Sequence, residues 1–329
     1  MKTVSALRQA KPAVPPPQST KPRRRWKRIL IRTLLTLFIL LVLLIYGVFP
    51  FWASGLVTNA RTRSMDRQLT ETPATYKAEY RDVEFQTADG VTISGWLLPS
   101  RDQHATIVYS HGLFRSRREL LERAVELWRL GYGALLYDAR NHGDSGKAKV
   151  TLGYNERLEA EAAVRFLREE IRTRDRIVLF GISMGAAAAL YATAETPEVA
   201  AVIADSSYLS YSDTVTHHAR LFLPLPAFPI ANELRFLVAW RGGFDGEKLD
   251  AREAVKTIGE RPAMFIAAAN DKRMPPDIAQ KLYDTSTSAT RDLLVVDGPG
   301  SEVHGHAFQA NPKLYINRVA EFLKLALTN

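Results

Sequence analysis

From residue 105 onward, short apolar runs alternate with stretches that repeat at helical spacing, and no other feature narrows the fold as much. Residues 105–110, 134–138, 176–180, 199–204, 263–268 and 293–296 read as strands. Between them, Leu120, Ala124, Leu127 and Trp128, and later Leu158, Ala162, Phe166 and Leu167, recur at helical spacing. Residues 184–194, 276–283 and 312–327 read as further helices. Strands that are apolar along their whole length are buried on both sides. The alternation therefore predicts an α/β fold, a mostly parallel sheet with helices on both faces. Ahead of it, 83–87 and 91–98 flank Asp89-Gly90 and read as a β-hairpin. Ser116-Arg117-Arg118-Glu119 has the form of a capping box for the first helix. Residues 207–249 break the rhythm.

The formal charge of +9 is not spread over this body. Residues 1–33 hold ten lysines and arginines and no acidic residue. The remaining 34 basic and 35 acidic residues nearly cancel, so no basic groove for nucleic acid is expected. Residues 34–52 then run without a charge. As a helix they span about 28 Å, close to the ~30 Å hydrocarbon core of a bilayer. Arg32 can snorkel at one end, and Tyr46 and Trp52 suit the other interface. We read 1–28 as a disordered basic tail, 29–52 as one transmembrane helix acting as a signal anchor, and 53–79 as a polar juxtamembrane linker. The run is longer than the apolar core of a cleavable signal, although Ala53-Ser54-Gly55 supplies small residues of the kind signal cleavage uses. With every flanking base on one side, the positive-inside rule predicts a cytoplasmic N-terminus and an extracytoplasmic body at the cell membrane. The tail would meet anionic membrane lipids. The absence of cysteine removes disulfides, thiolate catalysis and Cys-ligated metal from consideration.

Gly181-Ile182-Ser183-Met184-Gly185 falls between an expected strand and an expected helix. This is G-x-S-x-G in the setting of a nucleophile elbow, where a sharp turn lifts the serine hydroxyl clear of the sheet. Chance alone yields about one such match in ten chains of this length, so the strand–turn–helix context carries the weight. A neutral serine needs a base, and the base needs an orienting acid. After the later strands come Asp271 and then His304, in the order such an elbow requires. His306 competes with His304, and Asp205, at the end of an earlier strand, is an alternative acid that reads more simply as a turn residue.

With these residues in place the chain resembles the α/β-hydrolase superfamily, and most of all its bacterial esterase and serine-aminopeptidase-like branch. The resemblance covers about residues 80–329. It rests on the opening hairpin through Gly95-Trp96, on Ser110-His111-Gly112, on Asp138 to Gly146, on Arg261-Pro262 through Asp271 to Pro275, and on His304 to Phe308 with Asn311-Pro312 and Tyr315. It departs where Asn141 replaces a glycine and where Ala267-Ala268 replace the His-Gly that usually precedes the acid. The family's register favours His304 over His306. The resemblance implies an eight-stranded sheet with a small lid at about 207–249. It also implies an oxyanion hole built from the backbone N–H groups of Met184 and of Leu113 or Phe114. His142 and Asp144 would be structural, and His217-His218 read as a surface pair without metal. The expected activity is a serine hydrolase with Ser183 as nucleophile, His304 as base and Asp271 as orienting acid. No metal or organic cofactor is required. The substrate would be a small-molecule or lipid-like acyl ester, with amide hydrolysis or an inactive binding scaffold as the alternatives.

Overall fold

A computed structural model describes residues 23–223 and 226–328. Most of the tail assigned to 1–28, and residues 224–225 of the expected lid, lie outside the described residues. Two compact units divide at Gly47 and Val48. The first carries α1, Arg23–Leu43. Its apolar side chains are exposed around the whole circumference, from Phe38 at 62% through Ile39, Leu40 and Leu41 at about half. The helical run Arg25–Thr58 is long and apolar enough to cross a membrane.

The second unit begins with α2, Phe49–Thr58, and the short α3, Ser64–Arg67. The sheet follows as β1 Arg81–Gln86, β2 Thr92–Leu98, β3 Ala105–Ser110, β4 Gly133–Tyr137, β5 Arg176–Ile182, β6 Val199–Asp205, β7 Ala263–Ala268 and β8 Arg291–Val296. Its spatial order is β1-β2-β4-β3-β5-β6-β7-β8. β1 and β2 form the expected antiparallel hairpin, β2 is also antiparallel to β4, and every later pair is parallel. The helices are α4 Leu121–Arg129, α5 Arg157–Glu169, α6 Met184–Glu195, α7 Tyr211–Phe222, α8 Ala227–Gly242, α9 Ala251–Ile258, α10 Pro276–Thr285, α11 Ala307–Ala310 and α12 Pro312–Leu327.

Alternation along β5 shows how the layers form. Ile177 and Leu179 join the core shared with α5, α6, α9 and α10. Val178, Phe180 and Ile182 join the core shared with α4 and α12. The sheet is thus covered on both faces, as its apolar strands demand.

Two local expectations change. Residues 53–79, read as a polar juxtamembrane linker, are packed onto the body. Ser54, Thr58, Ala60, Thr62, Asp66 and Ala78 are buried. The segment is stitched to distant loops by Arg63 N–H to the Phe114 carbonyl (2.9 Å), Thr62 Oγ1 to the Arg115 carbonyl (2.9 Å) and Val150 N–H to the Thr58 carbonyl (3.0 Å). The capping box also fails to form. The Ser116 side chain makes no cap bond, and a 3₁₀ turn, Arg117–Leu120, leads into α4. The Glu119 carboxylate instead accepts the Gly112 N–H at 2.7 Å and Arg115 Nε at 2.9 Å. Gly112 is buried, and its N–H has the stronger claim on an acceptor.

A Cβ at Gly185 would collide with the backbone of Ser110, the last residue of β3, and of His111 just beyond it. Backbone cannot yield as a flexible side chain does. Gly185→Ala should lower stability by about 3 kcal/mol, the upper end of overpacking costs, as read by thermal unfolding of the full chain in detergent.

Candidate active site

β5 hands the chain to α6 through a single residue in an uncommon conformation. Ser183 has φ 56° and ψ −116°. Positive φ costs a side-chain-bearing residue energy and needs surrounding support. The support comes from both sides. A Cβ at Gly181 would strike Gly185, so the turn closes only with glycine there. The Ser183 N–H is fixed to the Asp205 carbonyl at 2.9 Å. The hydroxyl is thereby presented off the end of the sheet, at the N-terminus of α6.

Three residues far apart in the chain meet at that point. Ser183 Oγ lies 2.8 Å from His304 Nε2. His304 Nδ1 lies 2.7 Å from Asp271 Oδ2. The other Asp271 oxygen accepts the backbone N–H groups of Arg273 (2.8 Å) and Met274 (3.0 Å). Burial pushes the Asp271 carboxyl up. The hydrogen bonds from His304 and from the two loop amides outweigh it and hold the group below the usual carboxylate range. An ionised carboxylate only accepts. Nδ1 of His304 must therefore carry the proton, which leaves the Nε2 lone pair to accept the Ser183 O–H.

The competing residues are placed elsewhere. His306 stands at the N-terminal end of α11 and, among the described residues, bonds neither Ser183 nor Asp271. Asp205 is not a turn residue. It closes β6, fully buried, and accepts Tyr315 O–H at 2.7 Å and Ser206 O–H at 2.9 Å. Burial raises its pKa. Phe114 N–H donates to His142 Nε2 at 3.2 Å and so is already engaged. Among the described residues, the Leu113 and Met184 N–H groups donate to no protein acceptor. Asn141 sits at φ 63°, a conformation asparagine tolerates, and its amide donates to the Ala60 carbonyl at 2.7 Å. Asp144 pairs with Arg117.

The hydroxyl opens into an apolar cleft of about 360 Å³. Met184, Leu113 and Phe114 line it, α7 contributes Val215, Ala219 and Phe222, and α8 contributes Leu234 and Val238. Phe49 and Val57 of α2 complete the wall. A larger groove of about 630 Å³, by Tyr80, His104 and Asp175, contains none of the three residues. His218, expected at the surface, lines the cleft, and burial lowers its pKa to about 4.

Sequence reasoning missed the supports. Arg123 is buried on α4, where Nη2 donates to the Gly305 carbonyl at 2.9 Å and Nη1 to the Glu119 carbonyl at 3.0 Å. It ties the His304 loop to the residue that anchors Gly112. A charged residue on the apolar face of an amphipathic helix was the available signal.

His142 donates from Nδ1 to the Arg140 carbonyl at 2.8 Å while its Nε2 accepts from Phe114. Burial lowers its pKa to about 3. The unfolded chain therefore takes up a proton below about pH 6.5 that the native fold refuses until about pH 3. This contribution to stability is complete above pH 6.5 and drains away as the pH falls through that window. His142→Gln should flatten the fall in melting temperature between pH 7 and pH 4, measured on the full chain in detergent.

The profile of the family described as serine aminopeptidase, S33, matches residues 101–241, somewhat under half of the chain. The chain is 27% identical to the uncharacterized Bacillus subtilis protein YqkD over 72% of its own length and 77% of the relative's. An uncharacterized membrane protein of Saccharomyces cerevisiae is 22% identical over 75% of this chain and 78% of that one. An esterase of Pyrococcus furiosus superposes with a TM-score of 0.65 at 28% identity, covering 78% of this chain and 94% of the esterase.

Proposed function

This chain is a member of the α/β-hydrolase superfamily, and we propose that it is a membrane-anchored serine hydrolase acting on carboxylic esters or thioesters of lipophilic acyl groups. The observation that carries the reading is the hydrogen-bonded series Ser183–His304–Asp271 opening on an apolar cleft. As the Ser183 oxygen attacks the substrate carbonyl, His304 Nε2 takes its proton, and Asp271 stabilises the imidazolium that forms. The carbonyl oxygen becomes an oxyanion held by the Met184 and Leu113 N–H groups, each worth about 3 kcal/mol of barrier. His304 then gives its proton to the leaving alcohol or thiol as the C–O or C–S bond breaks. Water, deprotonated by the same histidine, resolves the acyl-enzyme to acid and free serine.

The likeness to an esterase supports ester hydrolysis. The serine aminopeptidase profile favours a second reading, amide or peptide hydrolysis. The cleft weighs against that second reading. The described residues lining it include no aspartate or glutamate, and an aminopeptidase has to hold a substrate ammonium. The run 34–52 supports anchoring, and the ten bases before it support a cytoplasmic N-terminus with the catalytic unit outside the cytosol.

Ser183→Ala in the full detergent-solubilised chain should abolish labelling by a fluorophosphonate. His304→Ala should slow p-nitrophenyl ester turnover by about 10⁴-fold or more. His306→Ala should stay within about threefold of the parent. A folded parent chain that neither labels nor turns over any ester in a chain-length series overturns the reading.

A further inference from the structure

We propose that the cleft is loaded from the bilayer, so that the substrate Ser183 is built to act on is a long-chain acyl ester of a membrane lipid. This rests on the serine-hydrolase reading and narrows its substrate.

Phe49 belongs to two structures at once. It lies inside the uncharged run 34–52, and it lines the cleft that holds Ser183. Val57, two turns further along α2, lines the same cleft. An enzyme held away from its membrane would interpose a polar tether between anchor and active site. Here α2 is part of the domain wall. Pro50, Ser54 and Thr58, spaced by four residues, form its buried face. Arg241 of α8 stacks its guanidinium 4.0 Å from the Phe51 ring centre and donates to the Phe51 carbonyl at 3.2 Å. The last turns of the apolar run are thereby clamped to a lid helix.

Both helices also present exposed aromatic side chains that do not line the cleft. On α2, Phe51 and Trp52 are 52% and 58% exposed. On α8, Phe236 and Trp240, one turn apart, are 68% and 63% exposed. Val238 and Leu234, also one turn apart, point into the cleft instead. A lid helix with aliphatic residues toward the acyl site and bare aromatics on its other side carries the aromatic signature of a membrane interface. The occupant of the bare face follows from continuity with the apolar run. Residues 49–52 cannot both end a membrane span and stand far from a bilayer surface, and α8 is fixed to them. A lipid acyl chain then passes from one apolar phase to another without crossing water, which spares it the cost of exposing its CH₂ groups.

The test uses the full chain reconstituted in ether-linked phosphatidylcholine vesicles, where the only carboxylic ester is added 4-methylumbelliferyl oleate. Dissolved p-nitrophenyl butyrate is assayed in parallel. The double substitution Phe236→Glu and Trp240→Glu should slow hydrolysis of the vesicle-held oleate about tenfold or more while butyrate turnover stays within about twofold. Equal losses on both esters, or none on the oleate, overturn the inference. So does a parent chain that cleaves butyrate but not vesicle-held oleate. A parent chain inert on both esters fails at the level of the serine hydrolase itself. A second readout does not depend on activity. The chain has no cysteine, so Trp240→Cys accepts a single nitroxide. Its relaxation in vesicles should respond more to oxygen than to a water-soluble nickel chelate, and the reverse order overturns the inference.

Discussion

The geometry of the candidate site depends on one strained residue. Ser183 holds a positive φ between a strand and a helix, at a cost of order 1–3 kcal/mol. It keeps that conformation because β5 and α6 are both fully packed and because Gly181 and Gly185 let backbone approach backbone. The sheet on either side of β5 is consequently more than a scaffold. Its burial supplies the energy that keeps the hydroxyl aimed away from the strand.

Around the elbow, two connecting segments are fixed by buried charge. Arg140 bonds Glu159 at 2.7 Å, with both groups almost fully enclosed. Arg117 pairs with Asp138 at 3.1 Å in the same way. Pairs of this kind contribute little net stability, yet removing one partner is expensive because the other charge is left stranded. They therefore act as pins. The segments 111–119 and 138–146 return to one arrangement each time, and His111 and His142, whose rings lie edge to face, sit between them.

What the sequence disclosed follows what its patterns encode. The strands of the parallel sheet were legible because burial on both faces leaves an unbroken apolar run. Ser183, Asp271 and His304 were legible because each follows such a strand in a fixed order. The supports were not. Periodicity shows that a face is buried but not against what, so the union of α2 with α8 left no trace. Glu119 completed a capping-box pattern with Ser116, but the fold assigned its carboxylate to Gly112, a demand that exists only once β3 and α4 are in place. Residues 53–79 looked like a linker because much of what holds them is polar bonds to loops about 50 to 90 positions away. His218 looked like half of a surface pair because nothing local showed that α7 turns that ring inward.

The way Asp271 is held bears on its identity as an acid. One of its oxygens faces two backbone N–H groups, and the other faces a ring N–H. All its neighbours are donors, so the position requires acceptors on both sides. An asparagine has one oxygen and one NH₂ group. With two fixed loop amides on one side, its oxygen would turn to them and its NH₂ would point at His304. The imidazole would then have to offer Nδ1 as an acceptor and carry its proton on Nε2, where it would meet the serine proton head-on. The loop's own backbone thus selects the tautomer of a histidine 33 residues away in the chain, and an isosteric residue at 271 would leave the site intact in shape and wrong in polarity.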